Sequence, residues 1–86
     1  MFVWGNYPLR ANSDGFYGHW VVDLMKRGME LVVIDPKVTW LSTHSKLHLA
    51  IRPGTDAALA LGFLNILISE DLYDHDFVDR WTYGFA

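Results

Sequence analysis

The apolar positions change period several times along this chain. Met1-Phe2-Val3-Trp4 is an unbroken apolar run, stopped by Gly5, Asn6 and Pro8. It predicts a strand entering a loop. From Gly15 to Arg27 the large apolar residues fall in two i, i+4 rows, Phe16–Trp20–Leu24 and Tyr17–Val21–Met25, with Asp23, Lys26 and Arg27 opposite. That spacing predicts an amphipathic helix seated through Phe16, Trp20 and Leu24. Asn12, Ser13 or Asp14 would cap its start and Gly28 would close it. Leu31 to Ile34 is a short β-branched run with no polar face, the pattern of a central parallel strand. Thr39 to Ser45 reads as a short helix or turn. Leu47 to Ile51 alternates and reads as a third strand. A helix follows from Thr55 or Asp56 to about Ser69, and a last one from about Asp74 to Tyr83, capped by Asp74.

Alternating strands and helices with short loops predict an α/β fold, a small parallel sheet with flanking helices on both faces. This is a Rossmann-like arrangement of the kind that forms part of a dinucleotide-binding domain. The chain has 86 residues, no cysteine and a formal charge of −3, which leaves room for one small domain over residues 1–86 with no disulfide or thiolate metal site. The weak net charge argues against a nucleic-acid partner. Met1 to Gly5 is apolar but has no basic segment before it, and Arg10 and Asp14 follow too soon for a signal peptide. No stretch reaches the ~18–20 apolar residues of a transmembrane helix.

The segment Ala57 to Ile68 changes this picture. It is apolar almost all the way round, in a chain that also holds four Trp, five Phe and four Tyr. One small core cannot hide that much apolar surface. The expectation is a piece of something larger that self-associates or exposes a large apolar patch.

The same helix opens on a polar run, Arg52-Pro53-Gly54-Thr55-Asp56. Two other loops share its position directly after a strand: Trp4-Gly5-Asn6-Tyr7-Pro8 and Asp35-Pro36-Lys37. In open α/β sheets ligands bind beyond the carboxyl ends of the strands, so these loops are expected to meet at one edge. Gly5 lets a backbone come close to a ligand. Asp35 lies where such folds place an acid for ribose hydroxyls. Gly54 and Thr55 open a helix whose first N–H groups suit an anion or a polar edge. Asp56 offers two acceptor oxygens, a match for the paired donors of guanine. Each loop also has a plainer reading: Thr and Asp at a helix start serve as caps, and an Asp before Pro makes turns.

Other constellations carry less chemistry. His44 and His48 are four apart, but His48 falls in a strand and no Glu stands between them, so no metal site is expected. Asp71, Asp74, Asp76 and Asp79 lack the glycine and closing Glu of a calcium loop, and read as a cap and a wet helix face. His19 reads as a partly buried structural residue. No catalytic residue is identifiable.

The order W-G-N-x-P (Trp4–Pro8), V-I-D-P-K (Val33–Lys37), I-R-P-G-T-D-A-A-L-A-L (Ile51–Leu61), L-Y-D-x-x-F-V (Leu72–Val78) and W-T-x-G-F (Trp81–Phe85) closely resembles a segment of the molybdopterin oxidoreductases of the dimethyl sulfoxide reductase family. The resemblance covers essentially the whole chain. It implies an internal piece of a catalytic subunit that uses a bis-molybdopterin guanine dinucleotide cofactor with molybdenum or tungsten. Carried over by motif, Trp4, Gly5, Asn6 and Pro8 would line the pyrophosphate side of one dinucleotide. Asp35, Pro36, Lys37 and Thr39 would contact its ribose and guanine end, and Gly54, Thr55 and Asp56 would meet the guanine nucleotide. The family's usual iron–sulfur cluster and metal ligand would lie elsewhere in the parent, since this chain has no cysteine. Partners would be the remainder of that subunit and electron-transfer subunits. Two positions depart from the common pattern: Tyr7 stands where Asn is usual, and Lys37 replaces an Arg, a point charge in place of a planar fork. The alternatives of another class are an α/β interaction module that docks a partner without nucleotide, and a stand-alone nucleotide-binding domain.

Overall fold

A computed structural model of the chain describes residues 1–11 and 15–85. The cap candidates Asn12, Ser13 and Asp14 lie outside the described residues. The elements, in chain order, are β1 (Phe2–Trp4), α1 (Phe16–Lys26), β2 (Val32–Ile34), α2 (Trp40–Thr43), β3 (Leu47–Leu49), α3 (Asp56–Ser69) and α4 (His75–Trp81). They form two compact units, Met1–Pro53 and Gly54–Ala86.

The first unit is a three-stranded sheet in the order β1-β2-β3, with both pairings parallel. Val3, Val33 and His48 are register partners across it. Alternation along each strand therefore puts these three on one face and the rows Phe2–Val32–Leu47 and Trp4–Ile34–Leu49 on the other. The core gathers on the first face: Val3 and Val33 pack with Val21 of α1, Leu41 of α2 and Leu31. α1 and α2 thus both serve this face, while Ile34 on the other is also fully buried. The shared side of α1 and α2 has a topological reason. The strands advance in one direction, and right-handed crossovers that step the same way put their helices on the same side. Covering the second face by this device needs a reversal of strand order, which β1-β2-β3 does not contain.

α1 also seats through the other row. Val21 is 1% exposed, whereas Trp20 is 66% exposed and Phe16 68%. Gly18 explains the choice. A Cβ at that position would lie 2.8 Å from the Pro8 carbonyl oxygen and 3.1 Å from Leu9 Cα. The helix turns its one side-chain-free position toward the first loop, which brings Val21 down onto the sheet and leaves the bulky row outside. Gly18→Ala should therefore push Pro8 and Leu9 off the helix and lower stability by at least ~1 kcal/mol. Gly62, whose Cβ would meet nothing within 4 Å, is the control: Gly62→Ala should stabilise by about 0.5–1 kcal/mol, since Gly costs that much inside a helix. Urea midpoints of the two variants check the contrast. α1 ends as expected at Gly28, with Gly28 N–H donating to the Met25 carbonyl (3.0 Å) and Met29 N–H to that of Leu24 (3.0 Å), the bond pair of a Schellman turn. His19, expected to be partly buried, is exposed.

The second unit holds α3 and α4. α3 spans the expected residues, yet none of them is buried. Leu61 is 66% exposed and Leu64 51%. Several of its large apolar side chains are therefore exposed, as expected. α4 starts at the expected cap, where Phe77 N–H donates to Asp74 Oδ1 at 3.0 Å. Two more members of the acidic cluster pair along the chain, Asp71 with His75 (2.9 Å) and Asp76 with Arg80 (3.6 Å). Among the described residues no helix is long and apolar enough to cross a membrane.

Candidate functional site

Parallel pairing puts the carboxyl ends of β1, β2 and β3 at one edge, and backbone bonds tie the emerging loops together there. Gly5 N–H donates to the Ile34 carbonyl at 2.9 Å, and Asp35 N–H to that of Leu49 at 3.2 Å. The loops after β1 and β2 are thus brought together as expected. Gly54–Asp56 belongs to the second unit.

In the first loop Gly5 sits at φ 60°, a left-handed conformation that side chains disfavour. A Cβ there would have nothing within 4 Å, so the space beside this turn is open. The Tyr7 carbonyl accepts from the N–H groups of Arg10 (3.0 Å) and Ala11 (2.8 Å), which closes the loop. Pro8 is buried, Trp4 half-buried and Asn6 exposed. The proline anchors the turn against Gly18, and the asparagine is presented outward.

In the second loop Asp35 makes an Asx-turn. Its Oδ1 accepts from Lys37 N–H at 2.8 Å. The plainer sequence reading of this residue is therefore realised, and it uses one of two carboxylate oxygens. Pro36 and Lys37 are exposed. Thr39 caps α2: its Oγ1 accepts from Ser42 N–H (3.2 Å), while Thr39 N–H donates to Ser42 Oγ (2.7 Å). This reciprocal cap occupies an acceptor site of the Thr39 hydroxyl and leaves its proton to donate.

In the third loop Gly54 is at φ 85° with nothing within 4 Å of its Cβ position. Thr55 holds the N-cap position of α3, but its side chain makes no capping hydrogen bond. Asp56 is exposed in the first turn, where a carboxylate complements the helix dipole.

Both histidines considered for a metal are engaged elsewhere. The His44 ring stacks on Trp40 with centroids 4.1 Å apart, and its Nδ1 lies 2.9 Å from the Trp40 carbonyl. His48 Nε2 lies 2.9 Å from the carbonyl oxygen of Asp35. Among the described residues no group of three or more His, Asp or Glu is placed to hold a metal. A shallow depression lined by Leu9, Gly15, Gly18, His19, Val22, Asp23 and Lys26 includes none of the residues of the candidate site. Sequence reasoning missed the support given by Gly18, Ser42 and His48. Of these only Ser42 carried a local signal, its place three residues after a possible cap at Thr39.

Comparison with known proteins agrees with this architecture. The family model of molybdopterin oxidoreductase matches residues 2–78. The chain is 48% identical over 61 residues to acetylene hydratase of Syntrophotalea acetylenica, covering 71% of this chain and 8% of that protein. It is 31% identical over 96 residues to dimethyl sulfoxide/trimethylamine N-oxide reductase of Rhodobacter capsulatus, covering 99% of this chain and 11% of that protein. The solved structure of acetylene hydratase from Pelobacter acetylenicus superposes with a TM-score of 0.80 at 36% identity, over 98% of this chain and 11% of that one. The chain spans roughly a tenth of the length of these relatives. The family match runs from β1 through α3 and into α4, and so takes in all three loops: this chain belongs to the molybdopterin oxidoreductase family.

Proposed function

We propose that this chain is part of the catalytic subunit of a molybdenum- or tungsten-dependent oxidoreductase, and that its loops hold one guanine dinucleotide of a bis-molybdopterin guanine dinucleotide cofactor. The observation that carries the reading is the joined carboxyl edge, where the open turn at Gly5 and the carboxylate of Asp35 leave adjacent parallel strands. That is the place where open α/β sheets take ligands. The donor set fits the group. Gly5 and Gly54 leave room for close backbone approach, Asn6 suits pyrophosphate oxygens, Lys37 suits the ribose and guanine end, and Asp35 retains one carboxylate oxygen for a ribose hydroxyl. Asp56, at the start of α3, supplies paired acceptors for guanine.

When bound, the metal pterin supplies the redox chemistry. The residues of this chain bind and orient its nucleotide end. The chain has no cysteine and so contributes neither a thiolate to the metal nor ligands to a cysteine-bound iron–sulfur cluster. Those groups would lie in the remainder of the parent catalytic subunit, and electron-transfer subunits would be separate partners.

The exposed side chains of α3 fit the same reading, because an apolar helix of this kind suits a protein interior. The isolated chain should accordingly self-associate, with a sedimentation coefficient that rises with concentration. A monomer at all concentrations would argue against an apolar surface made for burial.

Equilibrium dialysis of the chain against guanosine and adenosine diphosphate tests the nucleotide assignment. The guanine nucleotide should bind about ten- to a hundredfold more tightly, the worth of one charge-assisted hydrogen bond. Both affinities should be low, because most of the cofactor surface is left to the rest of the parent. Equal affinity for the two bases would reject the assignment of Asp56 to guanine. An interaction module would bind neither.

A further inference from the structure

We propose that His48 is a positioning residue for the nucleotide site: its imidazole holds the carbonyl of Asp35 and so fixes how the Asp35 carboxylate is presented. The inference rests on the reading of Asp35 as a ribose contact. Its structural basis is separate from that reading.

His48 Nε2 lies 2.9 Å from the Asp35 carbonyl oxygen, in a part-buried bond that spans 13 residues of sequence. A carbonyl only accepts, so Nε2 is the donor in this bond. The pairing of β2 with β3 ends at Ile34 and Leu49, with one further backbone bond from Asp35 N–H to the Leu49 carbonyl at 3.2 Å. The imidazole therefore supplies the last cross-link, from a side chain, where regular pairing stops. Asp35 is held at three points: its N–H by Leu49, its carbonyl by His48, and Oδ1 by Lys37 N–H at 2.8 Å. Oδ2 is the oxygen left to face a ligand hydroxyl.

The placement of His48 is informative. Its register partner is Val33, whose own partner on β1 is Val3, so it stands on the face that α1 and α2 cover. Packing alone would favour an aliphatic side chain there, as at Val3 and Val33, both of which are core residues. An imidazole on this face serves its hydrogen bond.

Two variants separate the hydrogen bond from the packing. His48→Leu keeps bulk and removes the donor. His48→Gln keeps an N–H donor at similar reach. Where leucine prevents folding, His48→Phe keeps the ring without the donor and is read in the same way. The readouts on the 86-residue chain are hydrogen exchange of the Lys37 amide, exchange of the Val33 amide as a control for the sheet, and affinity for guanosine and adenosine diphosphate. In the donor-free variant Val33 should keep its protection while Lys37 exchanges about tenfold faster, the effect of one lost hydrogen bond. Both nucleotides should weaken by the same factor, because the ribose is common to them, and their ratio should stay unchanged. His48→Gln should restore most of both effects.

Unchanged Lys37 exchange in a folded donor-free variant would overturn the proposal. So would equal damage in the glutamine and donor-free variants, which would assign the effect to packing. Loss of Lys37 protection with nucleotide affinity intact would overturn the link to the ligand. A wild-type chain that binds neither nucleotide would contradict the proposed function instead, while the Lys37 comparison would still decide whether His48 sets the loop.

Discussion

Leu41→Ala is expected to lower the unfolding free energy of the first unit by about 2–5 kcal/mol, the range for emptying a buried leucine site that can only partly collapse. Leu41 is fully buried, and it joins Val3, Val33, Val21 and Leu31 in one small cluster. It comes from α2, a helix of four residues too short to stand without packing. Small domains have about 5 kcal/mol of stability or little more, and this one has no disulfide to add to it. The substitution should therefore remove a large share of this unit's stability. Urea unfolding followed through the protection of the β2 amides measures it. Leu61→Ala, at a 66% exposed position, should change stability by less than ~0.5 kcal/mol in the same measurement. A cost below ~1 kcal/mol at Leu41 would mean that the core is not where α2 meets the sheet.

Asp56→Asn is expected to abolish the preference for guanine over adenine nucleotides, a loss of about 1.5–3 kcal/mol for hydrogen bonds to a charged group. The carboxylate accepts at both oxygens, whereas an amide accepts at one and donates at the other end. Adenine carries an acceptor at N1 where guanine carries a donor, so the wild-type carboxylate rejects adenine as well as holding guanine. Asp35→Asn should act differently and weaken both nucleotides alike, because a ribose contact does not read the base. Competition binding with the two diphosphates distinguishes the patterns. If Asp35→Asn alone changed the base preference, the roles of the two acids would be exchanged.

The parts of the fold legible in the sequence were those set by local rules. The strand ends at Trp4 and Ile34, the span of α3, the closing turn at Gly28 and the cap at Asp74 each follow from residues within one turn of the feature. The parallel sheet was legible because strands alternated with helices. The seating of α1 was not. Two apolar rows lie side by side on it, and the decision falls to Gly18, whose close approach to Pro8 is a tertiary contact. Placement of α1 and α2 on one face depends on strand order, which alternation alone does not specify. At the candidate site, the joined edge and the open turn at Gly5 were foreseen. The consumption of Asp35 Oδ1 in an Asx-turn and of Thr39 in a helix cap was visible only as a competing reading. In the sequence His48 stands out only by its spacing from His44. Its bond to a carbonyl in another strand leaves no local trace.

The measurement that tests the central claim most directly is an amide chemical-shift titration of the wild-type chain with guanosine diphosphate, repeated with adenosine diphosphate. The account predicts that the amides of Gly5 and Asn6, of Asp35 and Lys37, and of Gly54, Thr55 and Asp56 respond along a single binding curve. The response at Gly54–Asp56 should be larger for guanine, and the responses at Gly5 and Asp35 should differ little between bases at saturation. Shifts confined to α4 or to the outer surface of α1, or identical titrations for the two bases, would contradict the claim that these three loops hold a guanine nucleotide.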